Sequence, residues 1–417
     1  MMESAYLQST QHKQFTFTRA KLHRLRETLN ASRALSVSSG PSPTDPPLTL
    51  QETSKLIRFY KERLIELSDF CKLPTAVKAT AIAYLTRFYL AQSPMDQHPR
   101  VIMPACVFLA TKTENFYTPL STFASKLPKS SPESITAAEL ILIQGLKFCL
   151  TVHHPFRALE GSILELFALA EGTGGLRPST DSTAASRASD AAKLKQEMRR
   201  LPRKYTWSPR SRHDSILANP LTRPADDPTD TSDIVRQRID TSFEQTRTIL
   251  RTAALLTDVT LLFPPSQIWP AAMLLVDIPL VLWYLRTKLG PQNDALPRLL
   301  TQLEACAHMM WEYLQDAPAA KPDALFDELR DIDRKLWQYR HQRQQVDDAS
   351  EDASTATGTG PDKASDAAVG AKPKSHEVHP AAGEPGKATD EDRRRKKRRL
   401  EREHARREGD DVFGDAL

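Results

Sequence analysis

At 417 residues the chain has room for two or three domains, with ordinary soluble-protein composition in its first half and around residues 233–316 and strong bias elsewhere. Its net charge of +5 is small and much of the basic excess lies in one run near the C-terminus, so a nucleic-acid footprint spread over folded surfaces is not indicated. Glycine is scarce, 14 residues, and its few clusters fall outside the apolar blocks, which argues against phosphate-cradling loops and against a turn-rich β-sandwich.

Residues 11–35 read as one N-terminal amphipathic helix, with Leu22, Leu25 and Leu29 at helical spacing and basic residues between them. A Ser/Pro stretch from Ser36 to Pro47 follows and does not read as regular structure. Thr49 and Glu52 have capping-box spacing and open a helix striped by Leu56, Tyr60, Leu64 and Leu67. Pro74 separates it from a second helix with Val77, Ala81, Leu85 and Phe88. After the polar turn Ser93–His98, Val101–Thr111 is apolar on every face. Such a helix must be buried on all sides and forms a hub. Pro104 falls inside it, so the helix either starts there or kinks. A shorter helix follows Pro119. Ser131–Pro132–Glu133 then opens another, running through Ile135–Leu150 to its stop at Pro155. Residues 49–155 therefore read as a compact all-α domain, with 156–171 as a sixth, interdomain helix.

Between residues 172 and 231 the pattern collapses into Ser, Thr, Pro, Gly, Ala and charge, which reads as a disordered insertion between two domains. Its basic patch Arg199–Arg212, with Tyr205 and Trp207, is either a solvated linker or a docking segment for a partner. Ser208–Pro209–Arg210 is a candidate phosphosite at Ser208, a weak signal because Ser-Pro recurs at Ser42, Ser93 and Ser131. Helical pattern resumes over 232–316: a stripe of Ile239, Phe243, Thr246 and Leu250 running on to Leu262, then Ile268–Val276, Pro279–Lys288 and Leu296–Leu314. Ile268–Leu285 is apolar for about a membrane's thickness, but Pro270, Asp277 and Pro279 favour two buried helices with a turn between them. Leu85–Thr86, Pro94 and Val101–Ala110 are echoed by Leu256–Thr257, Pro264 and Ile268–Val276, a weak internal repeat implying two similar helical domains. Residues 322–346 read as a C-terminal helix with Leu325, Leu329, Ile332 and Leu336. The tail, 347–417, reads as disordered and basic. Its run Arg393, Arg394, Arg395, Lys396, Lys397, Arg398 and Arg399 favours a nuclear-import signal, with non-specific RNA or DNA attraction as the alternative.

Catalytic chemistry is not legible. Cys71, Cys106, Cys149 and Cys306 lack C-x-x-C spacing and read as reduced core residues of an intracellular protein. His153 and His154 are adjacent at a helix end, a poor metal arrangement. No Gly-rich loop, zinc-helix motif or nucleophile elbow is present, and the N-terminus lacks the apolar stretch of a signal peptide. No enzyme activity, cofactor, metal or membrane association is expected.

A resemblance supplies the positive reading. Ala83–Glu114, AYLTRFYLAQSPMDQHPRVIMPACVFLATKTE, resembles the second and third helices of a cyclin box in its aromatic RFYL end, its HPR turn and its apolar helix ending in Ala-x-Lys. AELILIQGLKFCLTVHHPFRALEGSILEL continues the likeness, as do LLTDVTLLFPPSQIWPAAM, the opening QHKQFTFTRAKLHRLRETLN and the closing DDVFGDAL. The chain thus resembles the cyclin family, most closely its cyclin H group. That implies an all-α protein with two tandem five-helix cyclin folds, flanking N- and C-terminal helices, and a disordered insertion and tail. It also implies a regulatory subunit of a cyclin-dependent kinase, of the CDK-activating kinase and transcription factor IIH type. The implied partners are the kinase catalytic subunit, a RING-finger assembly factor and the transcription factor IIH core, acting in the nucleus without direct nucleic-acid binding.

By the same resemblance Lys112 and Glu139 contact the kinase, with Phe108, Phe116, Leu142, Leu146 and Phe148 as candidates for an apolar shelf, several of which must instead be core. The chemistry suits the positions: a cation at a helix C-terminus is favoured by the dipole, and a nearby carboxylate accepts from backbone N–H groups. Thr86 replaces the Asp that cell-cycle cyclins carry beside this Arg-Phe, and the first helix has no MRAIL motif, so their substrate-docking patch is expected to be missing. Two readings compete: another transcriptional cyclin such as cyclin C, and a transcription-factor-IIB-like double cyclin fold that binds DNA.

Overall fold

The computed structural model describes residues 2–38, 48–127, 130–174, 184–211, 216, 222–224, 227, 229–290, 295–316 and 327–339, and every regular element among them is a helix. The basic run 393–399, Ser42 and the closing DDVFGDAL lie outside the described residues. The chain divides into two compact units, residues 1–33 with 49–325, and residues 34–48 with 326–417.

The N-terminus forms α1 (Met2–Gln8), α2 (Thr10–Phe15) and α3 (Arg19–Ser38) rather than the single helix expected over 11–35. The break at Thr16–Thr18 has a local cause. Thr side chains compete with the helix for backbone partners. Here the Thr18 hydroxyl accepts from Lys21 N–H at 3.3 Å to restart the helix, and Phe17 N–H donates to the Leu261 carbonyl at 2.8 Å.

The first helical fold comprises α4 (Leu50–Phe70), α5 (Thr75–Phe88), α6 (Pro99–Thr113), α7 (Leu120–Ala124) and α8 (Pro132–Gly145). The Thr49/Glu52 capping box is formed, with N–H donations of 3.2 and 2.8 Å. Helix α6 is the hub: Ile102–Thr111 is buried without interruption, and it packs on α4, α5 and α8. It starts at Pro99, with His98 Nδ1 accepting from Arg100 N–H at 3.1 Å. Pro104 therefore lies in its second turn, where the ring supplies no N–H for the Arg100 carbonyl. Helices α5 and α8 approach so closely that a Cβ on Gly145 would stand 2.5 Å from the Phe88 ring.

The second fold contains α9 (Phe156–Glu171), α11 (Ser232–Arg251), the short α12 (Ala253–Leu256) and α13 (Val259–Leu262), then α14 (Pro265–Leu274), α15 (Ile278–Leu289) and α16 (Ala295–Asp316). Leu159, Ile163, Leu166 and Leu169 of α9 belong to the same apolar core as α11, α14, α15 and α16. The helix expected to bridge two domains is thus an integral part of the second. The stripe expected to run on to Leu262 breaks at Thr252 and Thr257, whose side chains bond to carbonyls four residues back at 2.8 and 2.7 Å. The apolar stretch 268–285 forms α14 and α15 with a break at Leu275–Asp277, and no described helix is long and apolar enough to cross a membrane.

Segment 172–231 departs most from expectation. It interrupts the second fold rather than separating two folds, and its described part is ordered. Helix α10 (Ala184–Arg199) leads into an extended strap whose Leu201 and Trp207 enter the second core together with Met198 and Ile216. Trp207 N–H donates to the Leu274 carbonyl and Ile278 N–H to the Tyr205 carbonyl, each at 2.9 Å. The break between α14 and α15 leaves backbone groups without intrahelical partners, and the strap satisfies them. Arg238 fastens the arrangement. It donates to both oxygens of Asp277 at 2.7 Å and to the Pro202 carbonyl at 2.8 Å, while Asp277 also caps α15 through Leu280 N–H at 3.1 Å. In the second unit, residues 327–339 form α17, along which Leu329, Ile332 and Leu336 are buried. The rest of the 322–346 stretch lies outside the described residues.

Candidate protein-docking site

Helices α6 and α8 pack side by side and bring Lys112 to Glu139. Lys112 Nζ donates to the two carboxylate oxygens at 2.6 and 2.9 Å and sits 4.4 Å from the centroid of the Phe108 ring. The partners are unequal: the Lys112 side chain is 49% exposed and that of Glu139 10%. The last turn of α6 places its cation at the negative end of the helix dipole. Glu139 lies on the buried face of α8 with Ile135, Ala138 and Leu142.

Along α8 and just past the ends of α6 and α8 the chain exposes large apolar groups. Phe116, Tyr117, Leu140 and Phe148 are all open to solvent. Left-handed backbone shapes these helix ends: Asn115 follows α6 at φ 57°, and Lys147 and Phe148 follow α8 at φ 51° and 57°. Asn tolerates that conformation, whereas consecutive Lys and Phe store strain of the kind found where a side chain is held for function. The result is a Phe148 ring 73% exposed. Of the seven residues expected at this surface, Lys112 and Glu139 are brought into contact, and Phe116 and Phe148 are exposed just beyond the ends of α6 and α8. Phe108 is buried and stacks on Phe123 at 5.7 Å between centroids, and Leu142 and Leu146 are fully buried, so these three are core. Tyr117, Leu140 and the partly exposed Ile141 are further exposed apolar residues that were not among those expected. The α8 pattern held a signal for two of them, since Leu140 and Ile141 fall off the Ile135–Ala138–Leu142 stripe where polar residues belong.

Polar ties brace the rear of this surface. Tyr84 Oη donates to the Leu150 carbonyl at 2.6 Å, and the buried Arg87 reaches the Cys149 and Thr151 carbonyls at 3.4 and 3.3 Å. Thr80 Oγ lies 2.6 Å from a Glu114 oxygen and 2.7 Å from His154 Nε2, joining the end of α6 to the loop before α9. Enclosure of the ring first, then the charges of Arg87, His153 and Arg157, push His154 down to about 3. His154 is therefore neutral in the fold, whereas an unfolded chain takes up that proton below about pH 6.5. Stability is expected to be retained above that pH and to fall as pH drops from about 6.5 towards 3. Chemical denaturation at a series of pH values checks this: a His154→Gln variant should flatten the slope in that window by about one proton.

The adjacent His153 holds Gln11 through its backbone, N–H to Oε1 at 2.7 Å, and no group of three or more metal-ligating residues is present among the described residues. All four cysteines are buried and unpaired. Ser208 is half-buried in a turn after Trp207, its N–H donating to Ser211 Oγ at 3.1 Å, with Pro209 and Arg210 exposed.

Two protein families match the chain in tandem: the cyclin N-terminal domain over residues 41–151 and the cyclin C-terminal domain over residues 154–311. The second begins at α9, the helix that joins the second core. Cyclin mcs2 of Schizosaccharomyces pombe is 32% identical over 178 residues, covering 40% of this chain and 55% of that protein. Cyclin-H of Xenopus laevis is 37% identical over 144 residues, covering 31% of this chain and 44% of that protein. The chain spans about half the length of these curated relatives. A chain of the CAK complex from Chaetomium thermophilum bound to ATP-γ-S matches in structure with a TM-score of 0.61 at 24% identity, covering 87% of this chain and 99% of that one, a likeness of fold. With both cyclin domains matched in order along a tandem all-helical architecture, the chain belongs to the cyclin family.

Proposed function

We propose that this cyclin is the regulatory subunit of a cyclin-dependent kinase of the CDK-activating, transcription factor IIH type, and that the α6–α8 surface grips the kinase's mobile regulatory helix. One observation carries the reading: a charged pair with Lys112 half exposed and Glu139 largely buried, on two helices that also carry or lead into exposed aromatic and aliphatic side chains. Such a centre fits a partner that brings apolar anchors and backbone hydrogen-bonding groups. Lys112 has donors to give to carbonyls at a helix end, and the Glu139 oxygens accept N–H groups.

The mechanism is a population shift. A kinase needs its active-site Lys–Glu pair assembled, with the regulatory helix turned inward. Moving that helix from 1:99 to 99:1 takes about 5.5 kcal/mol of preferential binding to the inward state. The cyclin supplies that binding energy and no catalytic group or cofactor. The kinase catalytic subunit, a RING-finger assembly factor and the transcription factor IIH core are the proposed partners, in the nucleus and in support of transcription by RNA polymerase II and cell-cycle control.

The test uses the full chain co-expressed with a kinase catalytic subunit of the CDK-activating class. Phe148→Asp and Leu140→Asp change exposed side chains, so helicity should persist while affinity falls by about thirtyfold or more. Wild-type affinity in both variants would remove the assignment.

A further inference from the structure

A second recess shares no residue with the docking surface. It has a volume of about 420 Å³ and opens between α3, α4 and the end of α16. Four cations line it: Arg19 and Arg26 from α3, Arg58 and Lys61 from α4. Lys61 is the unusual one. The residue is only 4% exposed and lines the recess with no direct hydrogen bond or ion pair among the described residues, feeling one carboxylate, Asp258, at longer range. A largely enclosed ammonium whose one neighbouring carboxylate, Asp258, is already held by Arg26 is costly to the fold. Desolvation, opposed by Asp258 and reinforced by Arg26 and Arg58, brings Lys61 down to about 8, so it still carries its charge at neutral pH.

The carboxylates present meet this demand only in part. Asp258 is held by Arg26 in a two-pronged contact of 2.7 and 2.8 Å. Glu312 faces His308 at 3.4 Å, and Asp316 closes the last turn of α16. Arg58 stacks 4.7 Å from the Tyr313 ring centroid and reaches Glu62 only at 3.4 Å. Arg19 is exposed and makes no side-chain hydrogen bond among the described residues. The recess thus has a cationic wall with unused donors and an acidic end with unused acceptors.

We propose that this recess binds a phosphate monoester, the phosphorylated Ser or Thr side chain of a segment that carries a basic residue beside it. A phosphate offers three acceptor oxygens and up to two negative charges, enough to satisfy the Lys61 ammonium and the Arg19 and Arg58 edges together. Glu312 and Asp316 then receive the neighbouring base. The recess volume falls in the range that holds such a side chain with a flanking residue.

The experiment titrates the full-length chain with a labelled peptide containing phosphoserine followed by arginine, with its unphosphorylated twin, and with inorganic phosphate as competitor. The phosphopeptide should bind at least about tenfold tighter than its twin. Lys61→Met should remove that preference while leaving melting temperature unchanged or raised, because it deletes a desolvated charge that makes no direct ion pair. Asp316→Lys should weaken the peptide and spare inorganic phosphate. Arg19→Gln, at an exposed site that cannot threaten folding, should weaken the phosphopeptide and inorganic phosphate alike. Lys61-dependent binding of inorganic phosphate without preference for the phosphopeptide would keep the phosphate chemistry and overturn the peptide source. Equal binding of the phosphopeptide and its twin with no phosphate binding, or full binding by Lys61→Met, would overturn the site itself.

Discussion

Glu139→Lys is expected to abolish kinase capture, with affinity falling at least a hundredfold, about 3 kcal/mol. Glu139 is the better-buried member of the pair, and the substitution sets a second ammonium beside Lys112 at a site with little solvent to screen it. Lys112→Glu should cost less in stability, because that side chain is half exposed. The double reversal, Lys112→Glu with Glu139→Lys, separates two roles. It rebuilds an internal pair of opposite charges and should recover thermal stability. It should not recover the kinase, because donor and acceptor then face the wrong groups of the partner. Circular dichroism and bio-layer interferometry on the purified chain read the two effects apart. A doubly reversed protein that holds the kinase at full strength would reduce the pair to an intramolecular tie.

Arg238→Met is expected to destabilise the second fold by about 3–5 kcal/mol, the range for stranding one partner of a buried ion pair. Asp277 is fully buried, and Arg238 supplies two of its hydrogen bonds. Leu280 N–H and the Ser242 hydroxyl, the latter at 3.4 Å, are too few to replace a guanidinium. The same substitution frees the Pro202 carbonyl, so residues 200–211 should become cleavable before the helices do. Adding Asp277→Asn should return part of the loss, since an amide oxygen can still cap α15 without carrying charge. Thermal denaturation and limited proteolysis give the result. A single variant within about 0.5 kcal/mol of wild type would show that the pair does not anchor the strap.

Much of this protein was written in short-range signals. Thr49 and Glu52 announced the start of α4, an unbroken apolar run announced the buried hub α6, and Pro270, Asp277 and Pro279 announced two helices in place of one span. Each depends on groups within a turn or two along the chain, so sequence order is enough to read them. The cyclin resemblance singled out Lys112 and Glu139, and the fold paired them.

The remainder was settled by partners far apart in sequence. The strap looked structureless because its few apolar residues carry no period, and they become ordered only against the exposed backbone groups between α14 and α15. Several of the apolar shelf candidates were expected to be core, and only the packing of α6 on α7 and α8 decided that these are Phe108, Leu142 and Leu146. Lys61 lies between Tyr60 and Glu62 on an amphipathic helix, with no local signal that sets it apart from the other lysines. The desolvation of its ammonium follows from α3 and α16 lining the recess beside α4, and desolvation is a property of a place in three dimensions that no neighbour in the chain can encode.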